Sequence, residues 1–286
     1  QVRSFRTNGS LAHASFSSDG RHAVTTSQGV KIWDVVSGKA LLKLELPHAG
    51  PVFAAEFSPA VGDNVFATAG NDGIVKLWKW DPDRMAATEI RHWKLEGRAT
   101  GVRRLGFSGD GKKLAAVGDR GLIRIMLIGH DEMMSLDITD KESDQSVAAD
   151  VVTAAWSRDG KWLVTGGTDA IGRIWNVDME QPLVSSTREV SQLVGHADRI
   201  DGIAFLEDGT PQIRVLTASR DKSARVWDPR LSQSESRARE ILALRGHAMG
   251  VTGLDVSPSQ QTVVTSGVDG RIIVWAADEV PGERSD

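Results

Sequence analysis

Apolar and polar positions recur along the chain in short bursts separated by turn residues. The stretch from Gly246 to Trp275 shows the pattern most clearly. An apolar–polar segment leads to Ser257-Pro258, and a second run rises through Val263-Val264-Thr265. Asp269-Gly270 follows, and the stretch closes on Ile272-Ile273-Val274-Trp275. The pattern predicts three short strands joined by two tight turns. The middle run is nearly all apolar, as in a strand buried on both faces. Asp-Gly between two apolar runs is a hairpin signal, because both residues tolerate positive φ.

Most of the chain can be laid out as copies of this stretch. A strand-ending aromatic or its substitute falls at Trp33, Trp78, Met126, Trp175, Trp227 and Trp275, at intervals of 45, 48, 49, 52 and 48 residues. A period of this length built from short strands predicts radial repetition. Other offsets keep the same register. Phe57, Phe205 and Val256 each follow His48, His196 and His247 by nine residues, as Phe16, Phe107 and Trp156 follow Thr7, Arg98 and Val147. Asp72, Asp169, Asp221 and Asp269 precede their Trp by six residues, with Thr68, Thr165, Thr217 and Thr265 four residues earlier.

On these positions, and on Gly195-His196, Gly246-His247, Trp33-Asp34 and Trp227-Asp228, the chain resembles the WD-repeat β-propeller family over nearly its whole length. The resemblance implies an all-β propeller of four-stranded blades. It also implies that His, Ser/Thr, Asp and Trp form a hydrogen-bonded set within each blade. Three repeats carry the full set: His48, Thr68, Asp72 and Trp78; His196, Thr217, Asp221 and Trp227; His247, Thr265, Asp269 and Trp275. The chemistry is coherent without the family. Polar groups trapped between packed sheets must be paired, and hydroxyl, imidazole, carboxylate and indole N–H can satisfy one another in a chain.

Six blades are expected in a single domain, with repeat units near 7–46, 47–96, 97–145, 146–194, 195–245 and 246–277. After Trp275 no further strand pattern follows, whereas Val2–Arg6 has one at the other end. Residues 1–6 are therefore expected to close the ring by pairing with the last blade, removing an open edge. The first repeat lacks the Asp, and the fourth has Val147 at the His position. The third replaces the whole set with Arg98, Ala116, Arg120 and Met126, so that blade is expected to be the weakest. The chain begins at Gln1, not Met, which leaves open a longer polypeptide, upstream targeting signals and a seventh blade.

Composition narrows the function classes. The 286 residues are 40% hydrophobic and 25% charged, as in ordinary globular proteins. A net charge of -4 with no basic stripe argues against a nucleic-acid partner. There is no Cys, hence no disulfide or thiolate metal site. No apolar run reaches the roughly 18–20 residues of a membrane-spanning helix, and no signal peptide is visible. A monomeric cytoplasmic domain with no membrane association is expected.

No motif points to catalysis, a cofactor or a metal. Gly106–Lys113 has a phosphate-loop flavour, but Lys113 stands where Ser or Thr is required, and the stretch aligns with the polar turn of the other repeats. The recurring Asp residues occur once per repeat, whereas catalysis needs one asymmetric constellation. Partners are expected to be other proteins or peptides. The resemblance places them on the ring face where the segment after the His position and the turn before the Asp emerge. The candidates there are Phe53, Asn71, Arg103, Asp119, Asp150, Thr168, Arg199, Asp201, Arg220 and Thr252. Arg103, Arg199 and Arg220 are the expected anchors, Arg being enriched at hot spots. The expected function is a non-catalytic interaction scaffold. The alternatives are a sensory or substrate-recruiting module of a larger protein, such as one attached to a kinase or protease, and an enzyme using the central channel.

Overall fold

A computed structural model of the chain describes residues 12–276 except 28, 46, 61, 63, 96–100, 137, 139–148, 179–188, 207–212, 230–236 and 258. The expected closing strand at residues 1–6 lies outside the described residues, as do Arg98 and Val147.

Among the described residues twenty-three strands form six antiparallel sheets, each a meander in chain order. Sheet one holds β1 (His13–Phe16), β2 (His22–Thr26), β3 (Val30–Asp34) and β4 (Ala40–Leu44). Sheet two holds β5 (Val52–Phe57), β6 (Val65–Gly70), β7 (Ile74–Asp81) and β8 (Ala86–Lys94). Sheet three holds β9 (Val102–Phe107), β10 (Lys113–Gly118), β11 (Ile123–Leu127) and β12 (Met133–Ser135). Sheet four holds β13 (Val151–Trp156), β14 (Trp162–Gly167), β15 (Ile171–Asn176) and β16 (Glu189–Val194). Sheet five holds β17 (Ile200–Leu206), β18 (Arg214–Ser219), β19 (Ser223–Asp228) and β20 (Arg239–Arg245). Sheet six has three strands among the described residues, β21 (Val251–Val256), β22 (Thr262–Gly267) and β23 (Ile272–Ala276).

The turns follow from local chemistry. Ser17, Ser108 and Ser157 each donate 2.6 Å hydrogen bonds to Asp19, Asp110 and Asp159 two residues on. The same hydroxyls accept from the backbone N–H of His22, Lys113 and Trp162 at 3.0 Å, which closes each hairpin. Gly20, Gly111 and Gly160 follow at positive φ, where a Cβ would be strained. The phosphate-loop flavour of Gly106–Lys113 resolves into this turn.

The innermost strands pack in sequence, β1 on β5, β5 on β9, β9 on β13, β13 on β17 and β17 on β21. No comparable contact joins β21 to β1 among the described residues. Each interface buries the residue before the strand-ending aromatic of one sheet against the aromatic face of the next, as Ile32 packs with Phe57 and Trp78. Ile32, Leu77, Ile125, Ile174 and Val226 are at most 9% exposed. Val274, in the same register of sheet six, is 64% exposed, and Ile272 beside it 73%. On the opposite flank, Phe16 of sheet one is 66% exposed although its counterparts Phe57, Phe107 and Phe205 are buried. Among the described residues, no neighbouring sheet covers the recurring apolar row at these two faces.

Candidate functional site

The recurring polar residues form a relay inside their sheets. In sheet five the Trp227 indole N–H donates to Thr217 Oγ1 at 2.8 Å, and His196 Nε2 lies 2.6 Å from the same oxygen. His196 Nδ1 is 2.7 Å from Asp221 Oδ2. Satisfying every group requires Nδ1–H to donate to Asp221 while Nε2 accepts the Thr217 hydroxyl proton. Burial lowers the His196 pKa, which keeps the ring neutral, as this relay needs. Burial raises the Asp221 pKa, but the Ser223 and His196 hydrogen bonds outweigh it and hold the carboxyl at about 2. Sheets two and six repeat the geometry through His48, Thr68, Asp72 and Trp78, and through His247, Thr265, Asp269 and Trp275. Among the described residues, sheet four keeps the Trp175–Thr165 bond at 2.9 Å, and sheet one the Trp33–Thr25 bond at 2.8 Å. Sheet three has no such bond but buries Ala116 and Met126 completely.

A charged layer that sequence reasoning missed braces the outer strands. Lys76 contacts Glu89 at 2.8 Å, Arg173 contacts Glu189 at 3.5 Å, and Arg225 contacts Glu240 at 2.6 Å. The cation stands two residues before Trp, and the Glu pairs across from that Trp at a register shift. The spacing was legible in the sequence, but the outer-strand register was not.

The partner-face candidates form local groups. Arg103 lies over the Phe53 ring, 4.8 Å from its centre, and holds Asp119 through Nε at 2.7 Å and Nη2 at 3.3 Å. The Arg120 backbone N–H donates to Asp150 at 2.9 Å, and Asp150 N–H donates to Thr168 at 3.0 Å. Arg199 and Arg220 both grip Asp201, the latter at 2.7 Å. Asn71 and Thr252 are exposed. All three expected Arg anchors are thus held by carboxylates of the same chain, which fixes their positions on the face.

A second cluster lies on the innermost strands. Glu56 of β5 takes a hydrogen bond from Ser15, and its carboxylate is 3.9 Å from His13 Nε2 of β1. Burial among protein atoms dominates over the pull of Arg104 and Ser15 and raises Glu56 to about 7. Its side chain keeps 28% of its surface open to water. Burial also lowers the pKa values of His13 and Arg104, while the Arg104 charge is drawn between Glu56 and Asp201. The equivalents of Glu56 in the other repeats are Ser15, Gly106, Ala155, Ala204 and Asp255, so a carboxylate recurs there once and the sequence does not single Glu56 out. Among the described residues no group of His, Cys, Asp and Glu could hold a metal ion, and no helix is long and apolar enough to cross a membrane.

Comparison with known proteins gives the repeats an outside match. A family model described as "WD domain, G-beta repeat" matches residues 144–176, 187–228 and 238–276. The chain is similar to a nuclear distribution protein, nudF, of Aspergillus niger, with 28% identity over 86% of this chain and 54% of that one. It is 25% identical to protein transport protein SEC13-2 of Candida glabrata, over 93% of each chain. It is 27% identical to eukaryotic translation initiation factor 3 subunit I of Scheffersomyces stipitis, over 72% of this chain and 58% of that one. The chain therefore spans about half the length of the first of these relatives and nearly all of the second.

Proposed function

We propose that the chain, which resembles WD-repeat proteins over the stretches matched, holds other proteins or peptides against the face carrying Phe53, Arg103, Arg199 and Arg220, without catalysis of its own. The observation behind this reading is the arginine arrangement. Arg103 at the start of β9, Arg199 just before β17 and Arg220 in the turn after β18 are each fixed by a carboxylate. A side chain already held in place loses less freedom on binding, which favours affinity. Each Asp takes up only part of the donor fork, so N–H groups remain for a partner's carboxylate or carbonyl oxygens. The relatives' names describe transport, nuclear distribution and a subunit of an initiation factor, all compatible with work inside assemblies.

The test is a pull-down from native lysate with the double variant Arg199→Glu, Arg220→Glu. Loss of the partners recovered by wild type is expected. Undiminished recovery, with melting unchanged, eliminates this face. A cytoplasmic, monomeric state belongs to the same proposal, and fractionation with light scattering checks both. A second reading, a recruiting module in a larger protein, is favoured by the nudF relative, of which this chain covers 54%. The full reading frame decides between them.

A further inference from the structure

A cavity of about 460 Å³ opens beside the innermost strands, lined by Ser15, Phe16, Glu56, Phe57, Phe107 and Trp156 among others. Its volume lies in the range of small-molecule sites. One carboxylate, that of Glu56, lines it. A carboxylate offers roughly four lone-pair sites, and Glu56 receives one side-chain bond, from Ser15. His13 Nδ1 is 2.9 Å from the Ala55 carbonyl, so that nitrogen carries the proton. Burial, then Arg104, lowers the His13 pKa, leaving Nε2 as a neutral acceptor 3.9 Å from Glu56, too far for a bond between them. The surrounding walls are aromatic. The Trp156 N–H is spent on the Gly106 carbonyl at 2.8 Å.

A carboxylate beneath aromatic walls suits a cation with an apolar body. We propose that this cavity binds a primary arylalkylammonium ion, with Glu56 as counter-ion and the aromatic walls enclosing the carbon body. The charged groups facing Glu56 are His13 on β1 and Arg104 on β9, with Asp201 on β17 beyond Arg104 and Arg158 at the cavity rim. Arg104 opposes a cation and makes no hydrogen bond to Glu56. The site is separate from the partner face, so either reading can fail without the other.

Binding requires ionised Glu56. With its pKa at about 7, the ionised fraction rises about tenfold between pH 6 and 8, while an alkylamine stays charged. The experiment is calorimetric titration of the 286-residue chain with phenethylammonium chloride at both pH values and constant ionic strength. Binding about tenfold tighter at pH 8 is expected. Glu56→Gln should abolish it and Arg104→Met should strengthen it, each checked for unchanged melting. 3-Phenylpropionate, the same body with a carboxylate, should not bind. Equal affinity at the two pH values overturns the proposal without recourse to any variant. So does retained affinity in Glu56→Gln, preference for the phenylpropionate, or no binding at millimolar amine.

Discussion

Replacing Thr217 by Val tests whether the polar relay holds the sheets together. Thr217 is fully buried and serves two partners, Trp227 Nε1 at 2.8 Å and His196 Nε2 at 2.6 Å. Valine nearly matches the volume, so little cavity forms. The loss is chemical: an indole N–H and an imidazole nitrogen are left buried without partners. Each orphan costs about 1–3 kcal/mol, giving about 2–6 kcal/mol in all. In a protein of this size that lowers Tm by about 4–12 °C.

Sheet four supplies the internal control. Thr165 is as deeply buried but serves Trp175 alone, at 2.9 Å. Its valine variant orphans one group and should cost about half as much. Thr217→Ser, which keeps the hydroxyl, should recover most of the loss. Scanning calorimetry on the three variants measures the series. Equal losses at 217 and 165, or a Thr217→Val protein that melts like wild type, would refute the account.

Other consequences concern packing and pH. Ile32→Ala should cost about 2–4 kcal/mol and Val274→Ala under about 0.5, because the first is buried and the second 64% exposed. Equal costs by denaturant unfolding would mean that sheet six is covered in solution. On acidification the depressed Asp72, Asp221 and Asp269 are fully stabilising above their unfolded pKa of 3.8 and lose that contribution as pH falls below it, towards about pH 2 for Asp221 and Asp269. Glu56 acts oppositely. Its raised pKa stabilises the fold below about 4.5, and the contribution is lost as pH rises towards about 7. Stability of Glu56→Gln relative to wild type should therefore rise between those pH values and level off above. A flat difference in parallel melts would contradict the raised pKa.

The strand pattern and the polar sets were legible because each position recurs and the repeats check one another. What recurrence cannot show is contact between different repeats. Nothing local marks Asp201 as the shared holder of Arg199 and Arg220, since that depends on where β18 turns beside β17. Glu56 reads as an ordinary strand residue until β1 brings His13 and Ser15 against it. The bareness of Val274 and Phe16 is likewise invisible, because their neighbours in sequence match those of buried counterparts.

Sheets three and six show how hydrogen bonding and burial substitute for each other. Sheet three lacks the relay, yet Ala116 and Met126 are fully buried in a core shared with sheet two, and Ile123 and Ile125 in one shared with sheet four. Apolar packing on both faces replaces a satisfied polar network at little net cost, since such bonds contribute only about 0.5–1.5 kcal/mol each. Its expected weakness is therefore offset by packing. Sheet six has the opposite arrangement. One face is bare at Ile272 and Val274, so burial is halved, and its complete relay of His247, Thr265, Asp269 and Trp275 is intact. A sheet packed on one side depends more on bonds made within itself. By this reasoning Thr265→Val should weaken sheet six locally more than Thr165→Val weakens sheet four. Hydrogen exchange of β22 and β14 amides resolves the difference, and equal protection loss in the two strands would reject it.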